Sequence, residues 1–224
     1  MSKTIAIIPA RGGSKRLPQK NIKLLGNIPL IAHSILYAKE HNFISDVYVS
    51  TDDESIKKIA LEFEAKVIDR PLALSGDFEP TVSALKHVLD TIDEVIENVV
   101  LLQVTNPLRP EFLLQNAFEI FEDKKVSSLF TVTQNHHKLG RIQEDVFVPF
   151  NYTIGQRSQD LEPLFYENGL LYISKAKLIL DHIIISEDAY PLQVNHIFAS
   201  LDIDTQEDFE YAEYLLNKKI KDKR

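Results

Sequence analysis

Residues 5–21 read IAIIPARGGSKRLPQKN, and this stretch decides the fold. Its apolar opening, Ile5 to Ala10, has the density of a buried strand. The strand runs directly into Gly12-Gly13, with Arg11, Lys15, Arg16 and Lys20 on either side. In α/β folds, phosphate and nucleotide sites lie outside the carboxyl ends of the strands. Adjacent glycines let the backbone approach an anion and turn successive N–H groups toward it. The loop is not a Walker A sequence, since no second glycine stands at the right distance before Lys15, and it lacks the third glycine of the dinucleotide fingerprint. A plain basic surface turn is the competing reading. The number of cations and their position after the first strand favour an anion site.

Charge along the chain sharpens that reading. The formal charge is −8, yet seven cations precede the first acidic residue, Glu40, leaving 18 of the 25 cations to face all 33 carboxylates. Nucleic-acid binding needs an extended basic surface, which so acidic a bulk disfavours. A compact basic patch suits a small polyanion. The 224 residues, 44% of them apolar, fit one domain spanning 1–224. No run approaches the roughly 20 apolar residues of a membrane span, so no membrane partner is expected. No secretory pattern is seen, and a cytoplasmic protein is the expectation. The absence of cysteine excludes disulfides, thiolate zinc sites and cysteine nucleophiles.

Strand-like and helix-like segments alternate outward from the opening stretch. PLIAHSILYAKE, ESIKKIALEF and EFLLQNAFEIFED read as helices, and DVYVST, AKVID, NVVLLQ and SSLFTVT as strands. From Thr81, apolar residues at 82, 85, 89, 92 and 96 predict an amphipathic helix. This alternation predicts an α/β protein of three layers, with a mostly parallel sheet covered on both faces. Residues 134–168 break the pattern with Gly140, Pro149, Gly155 and Pro163, and read as an inserted hairpin arm. Beyond it, LLYIS and VNHIF read as strands, and DIDTQEDFEYAEYLLNKK as a strand end followed by a helix with a charged tail.

Asp202 and Asp204 stand two apart. On a strand they would point the same way, just before a helix whose start Thr205 and Asp208 fix as a capping box. Such a pair, joined by phosphate oxygens, suits Mg²⁺. A solvated strand-end pair in which Asp204 helps to cap is the alternative.

The string PARGGSKRLPQKN closely resembles the N-terminal signature of the CMP-sialic acid synthetase (acylneuraminate cytidylyltransferase) family, which includes the legionaminate and pseudaminate enzymes. RPLALSGDFEPT, LLQVTNPLRP, RSQDLEPLFYENGLLYI and SLDIDTQEDFEYAE resemble further family segments in order, although Val104 and Asn106 replace the usual Pro and Ser. The resemblance implies a nucleotide-diphospho-sugar transferase-like fold in which the arm at 134–168 serves dimerisation. It implies that Arg11, Gly12, Gly13, Ser14, Lys15 and Lys20 hold a CTP triphosphate, with Asn21, Arg70 and Thr81 on the rest of the nucleotide. Gln103, Arg157, Gln159 and Asn168 would face the sugar acid; Ser158 stands where relatives often carry a basic residue. Asp202 and Asp204 would hold Mg²⁺ (or Mn²⁺), and Arg11, Lys20 and Asp204 would act in catalysis. The implied reaction joins CTP to a nine-carbon sugar acid and releases pyrophosphate, in a homodimer. Two other readings remain. DID could be the metal motif of a nucleotide-sugar-dependent glycosyltransferase, or the chain could be a non-catalytic nucleotide-binding regulator.

Overall fold

The computed structural model describes residues 3–222. In chain order the elements begin with β1 (Thr4–Pro9), a short pair β2 (Leu24–Leu25) and β3 (Ile28–Pro29), α1 (Leu30–Lys39), β4 (Ile44–Thr51), α2 (Glu54–Glu62) and β5 (Lys66–Asp69). They continue with α3 (Thr81–Thr91), β6 (Asn98–Leu101), α4 (Leu113–Lys124) and β7 (Ser128–Asn135). The hairpin β8 (Gly140–Gln143) and β9 (Val146–Pro149), then β10 (Leu164–Lys175), α5 (Ala176–Leu180), β11 (Tyr190–Gln193) and α6 (Gln206–Asp222) complete the chain.

Seven strands form one sheet in the order β11-β7-β10-β6-β1-β4-β5. β10 is antiparallel to both neighbours, and the other pairs are parallel. β1 lies deep in the sheet because both of its faces are apolar. Ala6 and Ile8 pack with residues of α1, α2, α4 and α6, while Ile5 and Ile7 pack with α3 and α5. Successive side chains alternate faces, so one strand seeds both cores. The helices close the two outer layers.

Several sequence expectations shift. The helix from Thr81 stops at Thr91, and Ile92 is already extended (φ −84°, ψ 135°). Asp93, Glu94 and Glu97 follow, and acidic residues oppose the negative end of a helix dipole. Ile92 and Ile96 nevertheless pack on the α3–α5 core, which explains their helix-like spacing. VNHIF is not a strand. The edge strand is the preceding β11, whose Pro191 is tolerated where one side of a strand needs no partner. A short 3₁₀ turn, Ile197–Ser200, follows, and His196 Nδ1 accepts from the Phe198 N–H to start it. Asp202 to Asp204 form no strand either. They are an extended segment tied by the Ile203 N–H to the Thr105 carbonyl (2.8 Å).

β7 reaches Asn135, and β10 starts at Leu164 and pairs with it, so both ends of the 134–168 segment lie in the large sheet. The part that leaves the sheet is residues 136–163, carrying β8 and β9. Of the charged tail, α6 takes in residues to Asp222, and the last two residues lie outside the described part of the chain.

Candidate nucleotide and sugar-acid site

A cavity of about 500 Å³ opens over the carboxyl ends of β1, β5 and β6. It is lined by the glycine loop, by Arg70, by the segment leading into α3, by Gln103 to Thr105 and by Asp204. Arg11, Ser14, Lys15, Lys20, Asn21, Arg70, Thr81, Gln103 and Asp204 line it, whereas Gly12 and Gly13 do not. Five cations line it against three carboxylates, Asp77, Glu79 and Asp204, so an acidic protein keeps one positive cavity.

Local contacts set the loop's shape. The Gly12 N–H donates to Asp52 Oδ1 (3.0 Å), so this amide is turned to a carboxylate rather than into the cavity. A Cβ on Gly12 would come within 2.8 Å of Asp53, which makes the first glycine a packing requirement. Gly13 is exposed and a Cβ there would meet nothing within 4 Å, so nothing in this state demands its glycine. Asn21 Nδ2 donates to the Arg11 carbonyl (2.9 Å); it braces the loop. Asp53 caps α2 by accepting from Ser55 and Ile56, while Asp52 serves the loop.

Carboxylates hold the loop's cations. Lys20 Nζ is buried and donates to the Ile203 carbonyl (2.7 Å) and Asp204 Oδ1 (2.9 Å). Arg16 pairs with Asp204 Oδ2 (2.6 Å). Arg11 pairs with Asp77 (2.9 Å), and Lys15 bonds the same carboxylate. Lys15 above all, then Arg11, holds the Asp77 carboxyl below the usual range. Arg70 is buried and spends two donors on Ser50, its Oγ and its carbonyl, and burial lowers its pKa.

A second cavity of about 400 Å³ lies beside the first, and Gln103 lines both. Its other walls include Asn106, Tyr166, Glu167, Asn168, Tyr172 and Asp202. The Asn168 side chain is mostly committed to the fold. Its Oδ1 accepts from Thr131 Oγ1 (2.6 Å) and the Leu170 N–H (3.1 Å), and its Nδ2 donates to Thr133 Oγ1 (3.0 Å). Arg157 and Gln159 line neither cavity: they sit on the exposed arm, where Arg157 pairs with Asp160 (2.7 and 3.0 Å). Within one chain the structure therefore does not bring those two to the site. The arm leaves the sheet before them and returns after them.

Asp202 and Asp204 fall on neighbouring cavities, Asp202 on the second and Asp204 on the first. Burial raises the Asp202 pKa, a hydrogen bond with Thr105 counters it, and the Asp204 charge raises it further. The helix behind them starts as the capping box predicts: Asp208 Oδ2 accepts from the Asp204 and Thr205 N–H groups (3.0 and 2.8 Å). The two carboxylates repel each other and carry the hard oxygens a divalent cation takes, Asp202 exposed and Asp204 half-buried with its oxygens held by Lys20 and Arg16. Among the described residues no three acidic, histidine or cysteine side chains are placed to hold a metal ion together, so further oxygens would have to come from a bound phosphate or water.

The sequence reading missed four residues that shape the site. Asp77 lies inside RPLALSGDFEPT, with no sequence signal for its partners. Asn106 had one, the departure from the family's serine: its buried Nδ2 donates to the Asn168 (3.2 Å) and Leu201 (2.6 Å) carbonyls. Arg109 is fully buried and bonds the Leu170 and Gln103 carbonyls and Ser34 Oγ, and burial pulls its pKa down to about 10. The Tyr172 phenol is pushed up to about 12, first by burial and then by Glu167, to which it donates (3.3 Å).

A mostly parallel sheet with a cationic glycine loop at its strand ends, beside a pair of carboxylates, places the chain among the α/β proteins that bind an anionic ligand in the crevice outside their strands. Residues 5–223 match the family model described as cytidylyltransferase, and the chain belongs to that family. It is 35% identical to the CMP-N,N'-diacetyllegionaminic acid synthase of Legionella pneumophila, over 95% of each chain. It is 36% identical to the N-acylneuraminate cytidylyltransferase of Streptococcus agalactiae serotype V, over 92% of this chain and 52% of that one. The chain thus spans about half the length of its streptococcal relatives. The fold also matches a CMP:2-keto-3-deoxy-manno-octonic acid synthetase solved with CTP (TM-score 0.73, 17% identity, 97% of this chain and 100% of that one).

Proposed function

We propose that the protein activates a nine-carbon, sialic-acid-like sugar acid with CTP, giving the CMP-sugar acid and pyrophosphate. The observation that carries this is the paired cavity: a cationic pocket for a triphosphate adjoins a polar pocket through the shared side of Gln103. The activities for which the Legionella and streptococcal relatives are named support the same chemistry.

In this reading the anomeric hydroxyl of the sugar acid attacks the α-phosphorus in line, the bond to the β-phosphate oxygen breaks, and pyrophosphate leaves. Such catalysis is mainly positioning and charge stabilisation. Lys20, held near Asp204, would stabilise charge at the α-phosphate. Arg11 and Lys15 would take the departing phosphates. Thr81 and Arg70 would bound the ribose and base end, and Gly13 and Ser14 would face the polyphosphate. Mg²⁺, or Mn²⁺, would be held by Asp202 and Asp204 and would neutralise phosphate charge.

The described walls of the second cavity carry the carboxylates of Glu167 and Asp202 and no cation. A sugar acid's carboxylate needs one. Arg157 is 70% exposed on an arm that also exposes Ile142, Phe147 and Ile154. In our reading a second copy of the chain docks against that apolar arm, and Arg157 and Gln159 complete the neighbouring site in the homodimer. Cytoplasmic location belongs to this reading, in line with cytoplasmic CTP. No described helix is long and apolar enough to cross a membrane.

The test is a panel of eight- and nine-carbon ulosonic acids with CTP and Mg²⁺, read by pyrophosphate release. Turnover of a nine-carbon acid is expected. Silence across the panel would refute the assignment, and turnover of the eight-carbon acid alone would refute the substrate class.

A further inference from the structure

Two cations of the glycine loop, Arg11 and Lys15, share one carboxylate. Arg11 Nη1 lies 2.9 Å from Asp77 Oδ1, and Lys15 bonds Asp77 Oδ2. Asp77 reaches them from the segment that leads into α3, and that segment is scarcely packed down. Phe78 is 101% exposed and Leu72 81%. Gly76, next to Asp77, has open space where a side chain would be. Little apolar contact anchors the tip of this segment, so its ion pairs are its hold on the loop. Those pairs are partly solvated, with side-chain exposures of 34% for Asp77, 36% for Arg11 and 77% for Lys15. Ion pairs of this kind are weak and exchange readily for a denser anion.

We propose that Asp77 is an internal competitor for phosphate at the nucleotide site. It occupies Arg11 and Lys15 until a ligand bearing a pyrophosphate unit displaces it, so it lowers the affinity for triphosphate and pyrophosphate and leaves that for a monophosphate unchanged. The inference rests on the nucleotide reading given above. A ligand with one phosphate, seated beside Lys20, leaves the Asp77 pairs intact and gains nothing from Arg11 and Lys15. A triphosphate replaces one carboxylate by several phosphate oxygens and gains the difference. The same exchange runs backward after transfer. The nucleotide product retains a single phosphate, and once pyrophosphate departs Asp77 returns to both cations and opposes its rebinding.

Calorimetric titration of CTP, pyrophosphate and CMP, at fixed Mg²⁺ and low salt, compares the wild type with Asp77→Asn. Affinity for CTP and for pyrophosphate should rise about fivefold in the variant, the factor that one or two exposed ion pairs supply. Affinity for CMP should stay within about twofold of the wild type. Asp77→Ala repeats the measurement with a different side chain, and unchanged melting of both variants excludes a folding defect. Weaker or unchanged binding of CTP and pyrophosphate would overturn the assignment and make Asp77 a mere brace for the loop. Equal tightening for CMP would overturn it too, since Asp77 would then act only as diffuse charge. If the wild type binds none of the three ligands, the nucleotide reading itself fails, whereas equal CTP binding in all three proteins removes only the role of Asp77.

Discussion

Asp202 carries a charge that its surroundings oppose. Burial and then the Asp204 charge lift its pKa, against the hydrogen bond with Thr105. Asp202 is exposed, so solvent screens much of this effect, and the raised folded-state value means that ionised Asp202 costs only a little stability at neutral pH. That cost vanishes below the ordinary value of 3.8, where the residue is protonated in both states, and it sets in as pH rises through the folded-state value. In metal-free buffer Asp202→Asn should therefore melt above the wild type at pH 7, with the gap closing on acidification. Thermal denaturation across pH checks this, and a lower melting temperature at pH 7 would contradict it. Added Mg²⁺ should raise the wild type's melting temperature and not the variant's. Turnover of the variant should fall by about 100-fold or more. The helix start behind Asp202 and Asp204 was legible from the capping box of Thr205 and Asp208. Their strand was not, because the segment owes its extension to the Thr105 carbonyl, a partner about a hundred residues away in sequence.

At the scale of elements, one amide joins three segments of the site. Asn106, after β6, holds the Asn168 carbonyl in β10 and the Leu201 carbonyl just before Asp202. Gly169 makes room: its φ is +74°, and a Cβ there would lie 2.8 Å from Asn106 Oδ1. Asn106→Ala leaves two buried carbonyls without that donor and should cost about 1–3 kcal/mol, read by urea denaturation. It should also raise KM for the sugar acid more than KM for CTP, since the segments it joins wall the second cavity. A uniform rise in both would argue against that division. The parallel half of the fold was readable from sequence because β1 and β6 carry continuous apolar runs, and β4 a β-branched and aromatic centre, between periodic helices. The antiparallel β10 was seen only in its buried end, LLYIS. Its first four residues, Leu164–Glu167, are half-buried or exposed, and LFYE shows no alternation that would mark a strand. Arg157 and Gln159 belong to the same limit, because no local pattern tells which surface an arm meets.

For the molecule as a whole, a formal charge of −8 surrounds a cavity with an excess of cations, and one exposed arm projects from the sheet. If a second copy covers that arm, sedimentation velocity should give a dimer. Deleting residues 140–149 should yield a folded monomer that has lost turnover but still binds CTP. A monomeric, fully active wild type would contradict completion of the site in trans. The central claim is the transfer itself, at the α-phosphorus and with pyrophosphate as leaving group. Phosphorus NMR of one reaction, with CTP, Mg²⁺ and a nine-carbon ulosonic acid, follows every phosphate at once. Equal growth of a single phosphodiester resonance and of pyrophosphate is the predicted result. Orthophosphate with CDP, or an unchanged CTP spectrum across the panel of acids, would contradict it.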